Sequence, residues 1–326
     1  MDTSDVVDAL LEAPVVTSFT RLGHDIRSRL EHWTPVGSYD LSGRVVLLTG
    51  ATSGLGLSAA ETLARCGASV ILLGRDAAKT ERVRADLAAR TGSTALSTVV
   101  ADMGDLDAVR AAAEQVLAEH DRLDVLIHNA GALTDDRRVS PQGTELTVAS
   151  QVVGPFLLTA LLLDRLVASA PSRVLTMSSG GLYATGLTVD DLEMTDADYK
   201  GAEQYARAKR AQVTLNEMWA QRFTGSGVSF HAVHPGWADT PGVAESLPTF
   251  RRVVGPLLRT PAQGADTLVW LAADDGEPIA TSGRFWLDRR QRSLHKLPTT
   301  RRTDTPERRA ELWQWCVDRS GIDPRS

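Results

Sequence analysis

Apolar and polar positions along this 326-residue chain follow two rhythms. Short, nearly continuous apolar runs such as Val45-Val46-Leu47-Leu48 suit strands covered on both faces. Elsewhere apolar residues recur three and four apart, as at Leu57, Ala60, Leu63 and Ala64, which makes one face of a helix. From residue 44 the rhythms alternate. Strands are predicted at 45–48, 69–73, 95–100, 124–128, 172–177, 228–233 and 284–288. Helices are predicted at 54–66, 76–90, 105–119, 143–168, 204–223 and 261–273. This order predicts an α/β fold: a doubly wound parallel sheet with helices on both faces, in three layers.

The segments outside that alternation give a single domain over 43–290 with helical extensions at 1–42 and 291–326. Asp5 to Glu12 reads as a short helix ended by Pro14. Phe19, Leu22, Ile26, Leu30 and Trp33 then recur at helical spacing, with Arg21, Arg27, Arg29 and Glu31 between them. Two readings stand for residues 15–34: a helix packed on the main domain, or an interfacial helix touching a membrane surface or partner. Residues 235–260 are interrupted by prolines and read as a long loop or lid. The basic run 289–302 reads as a solvated loop, and Thr305-Pro306 as the cap and first turn of a final helix.

Bulk properties narrow the function. A net charge of −6 gives no reason to expect nucleic acid as a partner. No apolar run reaches bilayer-spanning length, and no signal peptide opens the chain. Cys66 and Cys316 make neither a disulfide framework nor a metal-ligand spacing, so a reducing, cytoplasmic setting fits.

The first candidate chemistry follows the first strand. Thr49-Gly50-Ala51-Thr52-Ser53-Gly54-Leu55-Gly56 places three glycines at a strand-to-helix turn. Glycines let the backbone turn tightly and approach a bulky anion, and the helix behind aims free N–H groups and its positive dipole end at that anion. Gly74-Arg75-Asp76 ends the second strand, where a dinucleotide fold faces the adenosine ribose. A guanidinium there pairs with a 2′-phosphate, so Arg75 leans the reading to NADP, with NAD the alternative. Asp76 is better placed to cap the next helix. Asp102, followed by Met103, ends the third strand. Its carboxylate either accepts from an adenine amino group or caps the helix near Asp105. Asn129-Ala130-Gly131 ends the fourth strand, where small residues admit the adenosine.

The second candidate is a proton relay. Tyr205 and Lys209 lie four apart on a helix and share a face. A nearby ammonium stabilises phenolate and lowers the tyrosine pKa, which makes Tyr205 a usable acid/base near neutrality. This pairing stands out in a chain with four lysines and far more arginines. Ser178 and Ser179 end the strand Val174–Met177. A hydroxyl there can donate to a substrate carbonyl oxygen, or simply close a turn.

These stretches together resemble the short-chain dehydrogenase/reductase family over about residues 43–290. Met177–Gly181, His234–Val243, Ala262–Thr267 and Ser282–Phe285 are most similar to its dehydrogenase/reductase member 12 group. The resemblance implies a Rossmann-type fold, a homo-oligomer, and reversible hydride transfer between NAD(P) and an alcohol or carbonyl. By position it implies that Tyr205 passes the proton, and that Lys209 binds the nicotinamide ribose and tunes Tyr205. Ser179, with Ser178 as fallback, would hold the substrate oxygen. Pro235, Gly236 and Thr240 would hold the nicotinamide amide. One position departs: Gln151-Val152-Val153-Gly154-Pro155-Phe156 puts glutamine where the family places an asparagine that bends its helix and holds a water on the lysine. The longer arm implies slower proton return and lower turnover.

Two other functions compete: a nucleotide-binding module with little catalysis, for which Gln151 speaks, and a membrane-surface scaffold using 15–34. The lid residues Trp237, Leu247, Phe250, Val253, Val254, Leu257 and Leu258 suggest an apolar small-molecule substrate.

Overall fold

The computed structural model describes residues 3–131, 133–246 and 248–324. Eight strands form one sheet: β1 Val45–Thr49, β2 Ser69–Gly74, β3 Leu96–Val100, β4 Val125–His128, β5 Ser172–Met177, β6 Val228–Val233, β7 Arg284–Leu287 and β8 Arg290–Gln291. Their order is β3-β2-β1-β4-β5-β6-β7-β8, parallel except for the β7–β8 pair. β1 lies between β2 and β4, so the chain reverses direction across the sheet there. That reversal opens a crevice at the carboxyl ends of the strands. Every residue of β1, β4, β5 and β6 is buried, which suits the apolar run of β1, while β5 and β6 also bury Ser172, Arg173, Thr176, Ser229 and His231. Helices 54–65, 77–91, 106–119, 201–222 and 261–273 also fall within a few residues of their predicted places.

The helix Leu146–Ala168 is long and apolar enough to cross a membrane, contrary to the sequence expectation, but most of it is buried inside the protein. It packs on helix Leu106–Glu119 and, through Phe156, on Trp219 and Trp313. Trp313 brings the C-terminal helix Pro306–Ser320 onto the same core.

Two further expectations need correction. Residues 289–302 are not a solvated loop. Leu287 pairs with Arg290 across the two-residue turn Asp288-Arg289, at which both φ angles are +54°. Such turns normally use Asn-Gly, because positive φ strains other residues. Here buried charge holds the turn. Asp288, fully buried, accepts from Arg259 at 2.6 and 2.9 Å and from Arg27 at 2.7 Å. Arg289 donates to both oxygens of Asp266 and to Thr34 O, and its guanidinium lies over Trp33.

The 15–34 segment is likewise not one helix. It breaks at Thr20 into Val15–Phe19 and Arg21–Leu30. Gly23 lets the pieces cross closely: a Cβ there would lie 2.5 Å from Thr17 O and 2.7 Å from Ser18 O. The anticipated apolar face is split as well. Phe19 turns inward, whereas Val16, Leu22 and Leu30 stay exposed.

The extension is tied to the sheet by ion pairs. Arg27, 1 % exposed, donates to Asp8 and Asp288, and Asp8 accepts from Arg292 as well. Removing one partner from such a cluster strands buried charge. Asp288→Ala is therefore expected to cost about 3–5 kcal/mol, lowering the melting temperature by roughly 5–10 °C. Glu81→Ala, which breaks an exposed pair with Arg84, should leave the melting temperature essentially unchanged. Calorimetric melting of the two variants checks this.

Candidate active site

The turn after β1 is built so that only glycine fits. Gly50 has φ +67°, and a Cβ on it would lie 2.8 Å from Ala130 Cα. A Cβ on Gly56 would overlap Gly50 O and the Asn129 side chain. Gly54 has φ +53° and faces the Thr240 side chain, so the base of the lid sits directly on the turn. Helix Gly54–Arg65 starts behind it with Ser53 at its N-cap, and no side chain caps it. Leu55 packs against Gly264 of helix Pro261–Ala273.

Asn129 braces this turn. Its Nδ2 donates to Thr49 O and Gly50 O at 3.1 Å each. The backbone N–H groups of Asn129 and Ala130 donate to Thr49 Oγ1 at 3.0 Å. The two stretches singled out at neighbouring strand ends are thus one unit.

At the end of β2, Gly74 touches Thr52, and Arg75 is exposed. Asp76 caps the following helix, accepting from Lys79 N at 2.8 Å. At the end of β3, Asp102 is exposed and accepts from Gly104 N at 2.8 Å. Asp105, not Asp102, caps the next helix. Met103 is buried, with its carbonyl against Gly154. Gly131 lies over Gln151, since a Cβ on it would be 3.1 Å from Gln151 Oε1.

Gln151 is fully buried at the centre of a π-helical turn, Ala149–Val153. Such bulges in helices are frequent at functional sites. The local bend therefore exists with glutamine in place of asparagine. A cavity of about 30 Å³ is lined by Gln151, His128 and Gln212 together with the apolar Val152, Phe156 and Leu215. That volume suits roughly two water molecules. His128 Nδ1 and Gln212 Oε1 are buried with no hydrogen-bond partner among the described residues.

The relay residues lie beside this turn. Lys209 is buried, and its Nζ donates to Met177 O at 3.0 Å. Burial pushes its pKa down to about 7. Its Nζ lies 5.3 Å from the centre of the Tyr205 ring, over its face. This corrects one expectation. Burial raises the Tyr205 pKa and the neighbouring Ser179 hydroxyl opposes that rise, so the net shift is upward where the sequence predicts a lowered value. Gly181 packs on the same ring. Ser179 Oγ also accepts from Gly181 N, whereas Ser178 Oγ is buried without a partner among the described residues.

The loop after β6 closes the site. His234 Nδ1 accepts from Gly236 N–H at 2.8 Å and shapes the Pro235-Gly236 turn, where Gly236 has φ +72°. Burial, with Arg259 nearby, pushes the His234 pKa down to about 3. Arg259 fills the space a Cβ on Gly236 would need. The lid then runs as short helices Pro241–Ser246 and Pro248–Val254. Val253 and Leu257 are exposed and Leu258 is buried. Leu247 and the Phe250 side chain lie outside the described residues. His234, Arg259 and Asp288 were not singled out by sequence reasoning. The His234–Gly236 bond spans two residues and lay within a quoted run, but nothing local marks Arg259 or Asp288.

A glycine turn, a phenol, an amine and a strand-end hydroxyl thus all lie at the carboxyl edge of one doubly wound sheet. The chain belongs to the short-chain dehydrogenase/reductase family, a family of oxidoreductases: the family model for short chain dehydrogenase matches residues 44–249. Human dehydrogenase/reductase SDR family member 12 is 37 % identical over 272 residues, covering 83 % of this chain and 84 % of the relative. Human retinol dehydrogenase 12 is 34 % identical over 285 residues, 86 % and 88 % of the two chains. Among solved structures, a protein from Mycobacterium paratuberculosis superposes with a TM-score of 0.71 at 27 % identity, covering 90 % of this chain and 99 % of that one. An Escherichia coli CFT073 short chain dehydrogenase complexed with NADPH gives a TM-score of 0.63 at 27 % identity, covering 77 % and 98 %.

Proposed function

We propose that the protein is an NADP(H)-dependent oxidoreductase that interconverts an alcohol and a carbonyl on an apolar substrate. The observation that carries this reading is the convergence of Tyr205, Lys209 and Ser179 at the end of β5, on the same carboxyl edge of the sheet as the Gly50–Gly56 turn. The residues fit a dinucleotide, because the glycine turn leads into helix Gly54–Arg65, whose first N–H groups are capped by no side chain and point at an anion's place. The pyrophosphate belongs at Thr52–Gly56, the adenosine at Asp102, Met103 and Asn129–Gly131, and the nicotinamide amide at Pro235, Gly236 and Thr240. When bound, the cofactor supplies or accepts the hydride.

The chain's own groups do the rest. Ser179 donates a hydrogen bond to the substrate oxygen and stabilises charge developing there. Tyr205 gives that oxygen its proton in reduction and takes it back in oxidation. Lys209 holds the ribose and, when charged, favours phenolate through the ring face. The Gln151 turn packs on the helix that carries Tyr205 and Lys209 and offers its amide to the proton's path back from solvent.

The NADP preference rests on Arg75, whose exposed guanidinium stands at the β2 end with no competing carboxylate in its place, since Asp76 is occupied as a helix cap. Wild type should bind NADPH more tightly than NADH. Arg75→Ala should weaken NADPH binding about 10-fold, as expected for loss of a charge-assisted hydrogen bond, and leave NADH nearly unchanged. Equal losses for both would overturn the assignment. Half-buried Trp237 and Val254 at the lid, together with relatives named for retinol, support an apolar substrate.

A further inference from the structure

We propose that Phe19 and its neighbours Ser18 and Thr20, in the N-terminal extension, position the nicotinamide end of the cofactor site. This rests on the oxidoreductase reading above. Residues 18–20 lie outside the 44–249 stretch that the family model matches, yet they reach the two loops that carry Ser179 and Pro235.

The contacts are of three kinds. Backbone bonds come first: Trp237 N donates to Phe19 O at 2.7 Å. Arg259 joins the extension to the turn itself. Its Nη2 donates to Ser18 O at 2.9 Å, its Nε to Phe19 O and Thr20 O at 3.1 and 3.2 Å, and its Nη1 to Pro235 O at 3.3 Å. Ring packing comes second. The Phe19 ring, 4 % exposed, lies 4.3 Å from the His234 ring and 5.8 Å from the Trp237 ring. A Cβ on Gly180 would meet Phe19 Cε2 at 3.2 Å and His234 Nε2 at 2.9 Å. Phe19 is thus a wedge between the loop following Ser179 and the loop preceding Pro235. The third is anchorage. Arg27 and Arg259 share Asp288, and Arg27 also donates to Ser18 O at 3.2 Å.

Those loops leave adjacent strands, β5 and β6. Their separation sets where a substrate oxygen and a nicotinamide ring lie relative to each other. A misplacement of about 1 Å remote from the reacting atoms can cost up to roughly 100-fold in rate. The adenosine end rests instead on β1–β4 elements that residues 18–20 do not touch among the described contacts.

The test compares two ligands by titration calorimetry on the full chain: NADPH, and adenosine 2′,5′-bisphosphate, which lacks the nicotinamide half. Phe19→Ala should weaken NADPH binding on the order of 10-fold and leave adenosine 2′,5′-bisphosphate within about 2-fold. Phe19→Leu, which keeps apolar bulk, should recover most of the NADPH affinity and guards against a misfolded alanine variant. Equal weakening of both ligands, or no change in either, would overturn the proposal, since simple destabilisation acts on the whole cradle. If wild type binds neither ligand, the oxidoreductase reading itself fails and takes this proposal with it.

Discussion

Tyr205→Phe is expected to lower turnover by about 10²- to 10⁴-fold, the range for losing a positioned acid/base, while NADPH affinity changes little. The phenyl ring keeps the contacts that Gly181 and Lys209 make with the tyrosine ring, so the site should remain assembled. Only the group that exchanges a proton with the substrate oxygen is removed. Ser179 would still donate to that oxygen, which sets the residual rate. The measurement is steady-state reduction of apolar ketones and aldehydes with NADPH, wild type against variant. A variant as active as wild type would remove Tyr205 from the chemistry. A large loss of NADPH affinity would mean the phenol is structural.

The second large effect is acid instability driven by histidines. Burial pushes His128 and His234 down to about 3 and His231 down to about 4. Each is held neutral by packing. His128 faces Thr159 at 2.8 Å, His231 contacts Pro278 O and Trp286, and His234 accepts from Gly236. In the unfolded chain a histidine takes up its proton near pH 6.5. The unfolded state therefore binds more protons than the folded state between about pH 6.5 and the folded values near 3–4. The stability these neutral histidines allow is whole above about pH 6.5 and is lost as pH falls through that window. With three protons taken up, the slope is roughly 4 kcal/mol per pH unit near pH 5, enough to exhaust an ordinary stability of about 5–15 kcal/mol between about pH 5 and 4.

The carboxylates act later. Asp8 meets the cost of burial with Arg292 and Arg27, which hold it down to about 2. Asp288 behaves in the same direction through Arg259 and Arg27. Both keep their contribution above about pH 4 and lose it only at lower pH, Asp8 as pH falls toward about 2. Denaturant melts at pH 7, 6, 5.5 and 5 separate the two groups. A flat stability over that range would contradict the histidine account and leave only the carboxylates.

Much of this molecule could be read from its residues because the informative signals are local. β1, β2 and β4 are short, nearly continuous apolar runs buried by the sheet's neighbours, and their bounds follow from those runs. The glycines at 50, 54 and 56 and the Asp76 cap mark a turn and a helix start within a few positions. The spacing of Tyr205 and Lys209 is one helical turn, so their proximity was legible. Its electrostatic consequence was not, because the fold buries the phenol, and burial raises its pKa. The extension was misread for a different reason. Arg27, Arg259 and Asp288 are more than 200 residues apart at their extremes and meet only in three dimensions. The Asp288-Arg289 turn likewise lacks the glycine that usually announces positive φ, because neighbouring arginines hold it. Phe19 kept helical spacing with Leu22 and Leu30 but not a shared face, since the helix breaks at Thr20.

A crystal structure of the wild-type protein with NADP bound tests the central claim most directly. The account predicts the pyrophosphate over Thr52–Gly56, the 2′-phosphate near Arg75, and the nicotinamide between Pro235-Gly236 and the Tyr205 and Ser179 hydroxyls. A nicotinamide lying away from Tyr205 and Ser179, or a dinucleotide bound off the glycine turn, would contradict it.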